Sequence, residues 1–405
     1  MKTVVVGGGA SGMIASIASA SKGNSVILIE KNEKLGKKVY ITGKGRCNLT
    51  NNVLINDFMQ NVVTNPKFLF SALNNLSPTD TIDFFENNGL KLKTERGNRV
   101  FPLNDKSSDV IKCLEKSLIS LGVDLRLNTS VLEICVKNDK VYKVITDNGE
   151  IDCDSVIICT GGISYPLTGC TGDGYDFAKK CGHTIVKPLP SLVGIELCGE
   201  KFKHLQGLSL KNVKIRINSQ DKTIYEDFGE MLFTHFGVSG PIILSASCLI
   251  NKLDLKQLNL SIDLKPALTM DVLDNRLVRE FDSNKNRAIS NVMGSLVPKN
   301  LVSNVLNDAS VFFDKPCCSV TKEERKKICN SLKNLQFKIS KLRPIEEAIV
   351  TSGGVKVSEI NPKSMESKLV KGLFFAGEVI DVDAFTGGFN LQIAFSTGYL
   401  AGLNS

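Results

Sequence analysis

Short apolar runs separated by glycine-rich or polar turns mark the first thirty residues of this 405-residue chain. Residues 3–6 and 26–29 are apolar runs of four, and residues 13–20 between them are small or compatible with a helix. Short apolar runs bounded by turn residues are typical of strands buried on both faces of a parallel sheet. The pattern therefore predicts a strand, a helix and a second, parallel strand.

Helix and strand patterns alternate up to about residue 188. The spacing predicts helices over 66–88 and 107–121, strands near 124–127, 131–136, 141–146 and 154–159, and a helix that opens at Tyr175. From 193 to 264 short alternating segments predict an antiparallel sheet or barrel, and residues 269–333 have helical spacing. Beyond residue 342 the α/β pattern returns, with strands over 349–355 and 372–376 and a helix over 391–400.

This change and return of pattern indicates a divided domain. We predict an α/β fold in which a Rossmann-like nucleotide-binding domain is split by a β-barrel-like domain and a small helical domain. The predicted parts are 1–188 for the first part of the nucleotide domain, 189–265 for the β-rich substrate domain, 266–335 for the helical domain and 336–405 for the second part of the nucleotide domain.

The first predicted turn carries the spacing of a dinucleotide-binding loop, with glycines at positions 7, 9 and 12. In such a loop the first glycine turns the chain, the second lets the backbone approach a pyrophosphate, and the third lets the helix pack on the strand. An acidic residue, Glu30, ends the second strand, where it can accept hydrogen bonds from ribose hydroxyls. A ribose 2′-phosphate would be repelled there, so FAD or NAD fits and NADP does not. The cofactor-binding residues predicted in this unit are Gly7, Gly9, Ala10, Ser11, Gly12, Glu30 and Lys31. The competing interpretation is an ordinary strand–helix–strand unit with a glycine-rich turn.

Composition restricts the class of protein. The hydrophobic content of 42% and the charged content of 23% are ordinary for a globular protein, and the net charge of +8 comes from dispersed lysines. None of the twelve cysteines forms a C-x-x-C pair. This favours reduced thiols in the cytoplasm over a disulfide framework. No apolar stretch reaches the length needed to span a bilayer, and we predict neither a membrane partner nor a metal site.

Further glycine-rich strand ends and loops are candidates for the same nucleotide site. A polar loop over 37–51 and three later segments supply the remaining predicted cofactor-binding residues, which are Gly43, Arg46, Cys47, Asn48, Thr160, Gly161, Gly162, Gly377, Glu378, Gly388, Asn390, Leu391 and Gln392. Backbone N–H groups near residues 388–391 would face the isoalloxazine edge and stabilise negative charge on the N1/O2 side of reduced flavin. A capped structural helix is the alternative at this place.

Four stretches together resemble one family. Residues 4–12, 43–51, 229–241 and 376–392 are similar to the motifs of the BaiN/YhiN-like family of NAD(P)/FAD-dependent oxidoreductases, which has an aminoacetone oxidase branch. The resemblance covers essentially the whole chain. It implies tightly bound FAD, a cytoplasmic bacterial protein, and a flavin domain interrupted by a barrel-like and a helical domain. Members are linked to different substrates, including steroid enones and an amino ketone.

Two residues are candidates for catalysis. His235 follows a predicted strand, and imidazole exchanges a proton near neutral pH, so it is a candidate acid or base for the substrate proton. A structural histidine that hydrogen-bonds the turn is an equal alternative. Arg46 would neutralise the flavin or bind an anionic substrate, or it packs structurally against the pyrophosphate loop.

The leading hypothesis is an FAD-dependent enzyme that transfers hydride to or from a small organic substrate. NADH, NADPH and oxygen remain candidate donors or acceptors, since no second glycine motif marks a separate nicotinamide domain. A tRNA-modifying flavoprotein is one rival, but clustered cations with stacking aromatics are not evident, and we predict no nucleic-acid partner. A flavin redox sensor is the other rival, with Cys47 as its candidate thiol. The substrate, the direction of the reaction and the oligomeric state stay open.

Overall fold

The strand–helix–strand pattern at the N-terminus forms as expected in the computed structural model, which describes residues 1–220 and 222–405. The helices are α1 Ala10–Ser21, α2 Lys37–Ile41, α3 Ile55–Met59, α4 Phe70–Asn75, α5 Pro78–Asn87, α6 Ser107–Ser120, α7 Asp173–Lys180, α8 Pro241–Ile250, α9 Met270–Asp282, α10 Ile289–Met293, α11 Lys299–Asp308, α12 Lys322–Lys333 and α13 Phe389–Asn404. The strands are β1 Lys2–Val6, β2 Ser25–Ile29, β3 Thr50–Asn51, β4 Leu92–Glu95, β5 Arg99–Pro102, β6 Asp124–Arg126, β7 Val131–Lys137, β8 Lys140–Thr146, β9 Gly149–Asp152, β10 Ser155–Ile158, β11 Ile185–Ser191, β12 Ile195–Leu197, β13 Ser209–Ser219, β14 Lys222–Phe233, β15 Gly237–Ser239, β16 Leu258–Asp263, β17 Leu335–Leu342, β18 Val350–Val355 and β19 Leu373–Phe375.

The chain divides into two compact units, Met1–Ser191 with Pro344–Ser405, and Leu192–Arg343. The first unit is built on a parallel five-stranded sheet in the order β19-β10-β1-β2-β6. Its central strand β1 pairs with β2 on one side and β10 on the other, and Val4 and Val5 are fully buried. The carboxyl ends of β1, β2 and β10 therefore meet at one edge of the sheet, where ligands bind in open α/β folds.

Glycines bring α1 and α13 of this unit into close contact. A Cβ atom on Gly398 would lie 2.4 Å from the carbonyl oxygen of Ser11, and one on Gly402 would lie 2.2 Å from that of Ala15. Both pairs advance by four residues in the same direction, so the two helices run parallel. Their N-termini consequently point toward the same edge of the molecule.

The helical pattern over 66–88 is broken in the structure, where α4 and α5 are separate. Ser77 ends the gap between them, because its hydroxyl accepts from the N–H of Asp80 while the Asp80 carboxylate accepts from the N–H of Ser77. Pro78 occupies the first turn, where its missing N–H costs nothing. The loop predicted over 37–51 likewise contains the short helix α2 and ends in β3.

The second unit is a closed antiparallel barrel, in the order β12-β15-β14-β13-β16-β17, with helices α9 to α12 packed on its core. The fold class predicted from the sequence is confirmed: a Rossmann-type parallel sheet is combined with a six-stranded barrel. Two predicted boundaries differ. Residues 189–191 were assigned to the β-rich domain, yet they belong to β11, which pairs with β18 in the first unit. Residues 336–342 were assigned to the second part of the nucleotide domain, yet β17 closes the barrel by pairing with β12 and β16. Its alternating buried residues fit a barrel strand with one face in the core.

Within the described ranges, no helix is both long enough and apolar enough to cross a bilayer.

Candidate functional site

The glycine-rich turn after β1 has the geometry that a dinucleotide requires. Gly7 has a φ of 105°, and a Cβ there would lie 2.6 Å from the carbonyl oxygen of Cys159. A Cβ on Gly12 would lie 1.9 Å from the carbonyl oxygen of Gly7, so helix and turn touch. A Cβ on Gly9, in contrast, would meet no atom within 4 Å. Two glycines thus close the turn, and the middle one leaves an open cradle at the N-terminus of α1.

Glu30 lies at the end of β2 and holds the loop around this cradle. One carboxylate oxygen accepts the N–H of Gly8 at 2.7 Å, and the other accepts the N–H of Asn32 at 2.9 Å. The oxygen that bonds Asn32 also accepts the side-chain amide of that residue at 2.6 Å. A carboxylate oxygen has about two acceptor sites, so the oxygen that bonds Gly8 is the one that retains capacity for a ribose hydroxyl. The side chain is placed for the ribose role predicted from the sequence.

We expect Glu30→Ala to weaken FAD binding by about 1–3 kcal/mol, the scale of a hydrogen bond to a charged group. Isothermal titration of the apoprotein with FAD measures the change. Glu33→Ala is the matched control, since Glu33 is an exposed carboxylate three residues away that pairs with Lys37. An unchanged dissociation constant for Glu30→Ala would remove this residue from the ribose role.

The N-terminus of α13 forms a second set of free donors. Its first N–H groups have no carbonyl partner within the helix. Ser11 is one residue beyond the start of α1, whereas Gly398, which contacts it, is nine residues beyond the start of α13. The offset of eight residues places the start of α13 about 12 Å beyond the start of α1 on the N-terminal side of the two helices. An elongated ligand can therefore meet one helix N-terminus with its pyrophosphate and the other with its ring system.

The loop over residues 43–51 is joined to the start of α13. A Cβ on Gly388, whose φ is 99°, would lie 2.4 Å from the carbonyl oxygen of Thr50. The side-chain amide of Asn51 donates to the carbonyl oxygen of Gly387 at 2.9 Å. In the same loop, the buried side-chain oxygen of Asn48 has no hydrogen-bond partner among the described residues, and neither has the buried hydroxyl of Thr160 at the end of β10.

These observations fit FAD. The open cradle at Gly9 and the dipole of α1 suit the pyrophosphate, and the N–H groups that begin α13 suit the pyrimidine edge of the flavin. Buried polar atoms without partners are rare in folded proteins, so the two at Asn48 and Thr160 indicate that a polar ligand completes the site.

Arg46 is already neutralised by protein carboxylates. Its guanidinium donates to Asp105 at 2.6 and 2.8 Å and to Glu95 at 2.5 Å, and it lies 4.1 Å from the centre of the Phe101 ring. Hydrogen bonds from Lys93 and Arg46 hold the pKa of Asp105 below its usual value. The sequence suggested a role at the flavin, at an anionic substrate or in packing against the pyrophosphate loop, whereas the contacts observed for Arg46 are structural ones with Glu95, Phe101 and Asp105 in the β4–β5 hairpin region.

Lys38 is a residue of this region that sequence reasoning missed. Its ammonium contacts the Glu378 carboxylate at 2.7 and 2.9 Å and the Ser164 hydroxyl at 2.6 Å, and both charged side chains are 19% exposed. Glu378 also accepts the N–H of Thr351 at 2.8 Å. Because the partners are 340 residues apart, only the fold reveals that Lys38 orients the carboxylate predicted to bind FAD.

Four other predicted cofactor residues make contacts within the protein. Lys31 pairs with Asp173 at 2.7 Å. Asn390 bonds to both backbone groups of Ala384, and the Gln392 amide donates to the Leu76 carbonyl at 3.0 Å on the buried side of α13. Burial raises the pKa of the Cys47 thiol to about 12, so it is a neutral thiol at physiological pH. A buried, protonated thiol reacts slowly with oxidants, so this environment does not favour Cys47 as the thiol of a redox sensor.

His235 lies in the second unit, in the turn that joins β14 to β15. The Thr234 N–H donates to the Gly237 carbonyl at 2.8 Å and closes this turn. The imidazole is exposed, contacts the Phe236 ring at a centroid distance of 5.1 Å, and makes no hydrogen bond to any residue in the described ranges. His235 therefore does not hold the turn by a hydrogen bond to any described residue.

The fold and the site in the first unit define a flavoprotein oxidoreductase with a Rossmann-type FAD-binding domain. The model of the HI0933-like protein Rossmann domain matches residues 1–404, and the chain belongs to this family. The resemblance derived from the sequence motifs is thus confirmed. The chain is an FAD-dependent oxidoreductase.

Two bacterial relatives match nearly the whole chain. The 3-dehydro-bile acid delta(4,6)-reductase of Clostridium scindens is 30% identical over 402 residues, which are 98% of this chain and 97% of that protein. The ribosomal RNA dihydrouridine synthase of Escherichia coli is 28% identical over 396 residues, which are 98% of this chain and 96% of that protein.

A solved structure shares the fold. The 3-ketosteroid-delta4-(5alpha)-dehydrogenase of Rhodococcus jostii, in complex with 4-androstene-3,17-dione, aligns with a TM-score of 0.55 at 13% identity, over 99% of this chain and 96% of that one. At this identity the likeness concerns the fold alone.

Proposed function

We propose that this protein reduces a carbon–carbon double bond conjugated to a carbonyl group. The observation that carries the proposal is a chemistry common to the two relatives' names. A 3-dehydro bile acid with Δ4,6 unsaturation has double bonds conjugated to a ketone, and uridine has a ring double bond conjugated to a carbonyl. Reduction of either one adds a hydride and a proton across the double bond.

Different residues of the first unit would bind different parts of FAD. Gly9 and the N-terminus of α1 would hold the pyrophosphate, Glu30 would hold the ribose, and the first N–H groups of α13 would face the pyrimidine edge of the flavin. Bound FAD supplies a two-electron carrier that delivers hydride to carbon. Donors at the start of α13 favour the reduced state, because negative charge then develops on the N1/O2 side of the ring.

The candidate acid is His235. Hydride addition at the β-carbon leaves negative charge on the carbonyl side, and a proton must reach the α-carbon. His235 is exposed and makes no hydrogen bond to any described residue, so its ring nitrogens are available to a substrate. NADH or NADPH is proposed as the source of the hydride, giving NAD⁺ or NADP⁺.

The substrate is proposed to be a small molecule, with uridine in RNA as the second candidate. The name of the Clostridium scindens relative, which has the higher identity of the two, supports the small molecule. The name of the Escherichia coli relative and the net charge of +8 support the second candidate. Complementation distinguishes the two. The test expresses this chain in an Escherichia coli strain that lacks its own ribosomal RNA dihydrouridine synthase. Mass spectrometry then measures dihydrouridine in the ribosomal RNA of that strain.

In parallel, anaerobic stopped-flow measures flavin reduction by NADH and NADPH, followed by reoxidation with a 3-oxo-Δ4,6 bile acid. Rapid reoxidation by the enone without dihydrouridine in the strain supports the small-molecule substrate, and the reverse result supports RNA. Reoxidation by oxygen alone, with neither conjugated substrate reduced, contradicts the proposal.

A further inference from the structure

The β4–β5 hairpin carries two arginines at its tip that have no acidic partner. Arg96 and Arg99 are both exposed, and neither forms an ion pair with a carboxylate in the described ranges. The Arg99 Nε donates to the Arg96 carbonyl oxygen at 3.1 Å, so the two residues are joined at the turn. Arg46, which lies within the loop over residues 43–51, is by contrast paired with two carboxylates of the same hairpin region.

The tip is fixed beside the loop that precedes α13. The Asn51 amide donates to the carbonyl oxygen of Gly97 at 3.0 Å and to that of Gly387 at 2.9 Å, so a single side chain bridges the tip and the loop. The N–H of Asn52 also donates to the carbonyl oxygen of Asn98 at 2.7 Å. Gly97 and Asn98 both have positive φ, 77° and 57°, which folds the tip tightly.

The hairpin region carries an excess of positive charge. Glu95 and Asp105 are used by Arg46 and Lys93, so the hairpin's carboxylates are already paired. Arg99 lies 5.8 Å from the Phe101 ring, whose centre is 4.1 Å from the Arg46 guanidinium. The two tip arginines are left as planar donors suited to a carboxylate or phosphate.

We propose that Arg96 and Arg99 bind an anionic group on the substrate and select for anionic substrates at the flavin site. The inference rests on the proposed function for the identity of the reacting group, and it transfers to these two residues the anion-binding role that the sequence suggested for Arg46. A carboxylate on a small enone and a backbone phosphate of RNA share the required chemistry. Which source is used is decided by the experiment.

The test compares FAD-loaded wild-type protein with the double variant Arg96→Gln/Arg99→Gln. The small-molecule arm titrates a 3-oxo-Δ4 bile acid and its methyl ester and follows the visible flavin spectrum. The RNA arm titrates a uridine-containing fragment of ribosomal RNA and follows fluorescence anisotropy at low salt. Arg279→Gln is the matched control, because Arg279 is an exposed arginine on α9 in the other unit.

We expect the double variant to bind one of the two anionic probes about 10- to 100-fold more weakly, the loss typical of charged hydrogen bonds. The double variant should bind the methyl ester as tightly as wild type does. The Arg279→Gln protein should bind both anionic probes as tightly as wild type does. Weakening of the carboxylate alone assigns the site to a small-molecule acid, and weakening of the RNA alone assigns it to phosphate. The proposal is overturned if the double variant binds each anionic probe as tightly as wild type does. It is also overturned if wild-type protein binds neither anionic probe more tightly than it binds the ester.

These outcomes are separable from failure of the proposed function. If anion binding falls in the double variant while no conjugated double bond is reduced, the anion site stands and the reaction is misassigned. If reduction proceeds and the double variant keeps its affinity for both probes, the reaction stands and the arginines have no role in substrate selection.

Discussion

The Gly9→Val protein is expected to fold normally and to bind no FAD. The backbone of Gly9 has a φ of −82°, which any residue adopts, and a Cβ there meets no atom within 4 Å. The protein itself therefore tolerates a side chain at this position. The cost falls on the ligand, because the isopropyl group would occupy the space in which the pyrophosphate approaches the backbone.

Purification without added flavin, followed by titration with FAD, measures the effect, and we expect affinity to fall by at least about 10³-fold. Circular dichroism and the unfolding temperature should match those of wild type. Gly294→Val is the control, since a Cβ at Gly294 has no neighbour closer than 3.8 Å. Gly12→Val offers a contrast, because its clash with the Gly7 carbonyl should disrupt packing itself. Stoichiometric FAD in Gly9→Val protein would mean that the loop does not hold the pyrophosphate.

The nucleotide loop was predictable because its determinants are local. Gly7, Gly9, Gly12 and Glu30 lie within one strand–helix–strand unit, and each acts through the backbone or through a neighbour in the next strand. The antiparallel barrel was predictable for a similar reason, since alternating burial along strands is visible in sequence. The boundary at residue 336 was less accurate, because the strand that closes a barrel has the same pattern as one that begins a new sheet.

Charge pairing was not predictable in the same way. Arg46 is an obvious candidate in sequence, but Glu95 and Asp105, which neutralise it, are 49 and 59 residues away. Lys38 and Glu378 meet across 340 residues, and Asn51 reaches Gly387 across 336. Long-range ion pairs determine which cationic side chains can still bind an anionic ligand. The structure therefore favours Arg96 and Arg99 over Arg46 as anion-binding candidates.

Replacing His235 with alanine is expected to slow reduction of the conjugated double bond by about 10²–10⁴-fold, the usual contribution of general acid–base catalysis. The imidazole contacts Phe236 and makes no hydrogen bond to the residues that the structure describes, so its loss should leave the β14–β15 turn intact. FAD content and unfolding temperature should therefore be unchanged. His204→Ala is the control, because that exposed imidazole is bonded to Asn304 in the same unit.

The informative measurement separates the two halves of the reaction. Flavin reduction by NADH or NADPH needs no acid from the protein, so the His235→Ala variant should be reduced at the wild-type rate. Reoxidation by the conjugated substrate should be slow, because the proton now comes from solvent. Normal reoxidation with FAD intact would exclude His235 as the acid. Loss of FAD or of folded protein would instead assign it to the stability of the turn, despite the missing hydrogen bond.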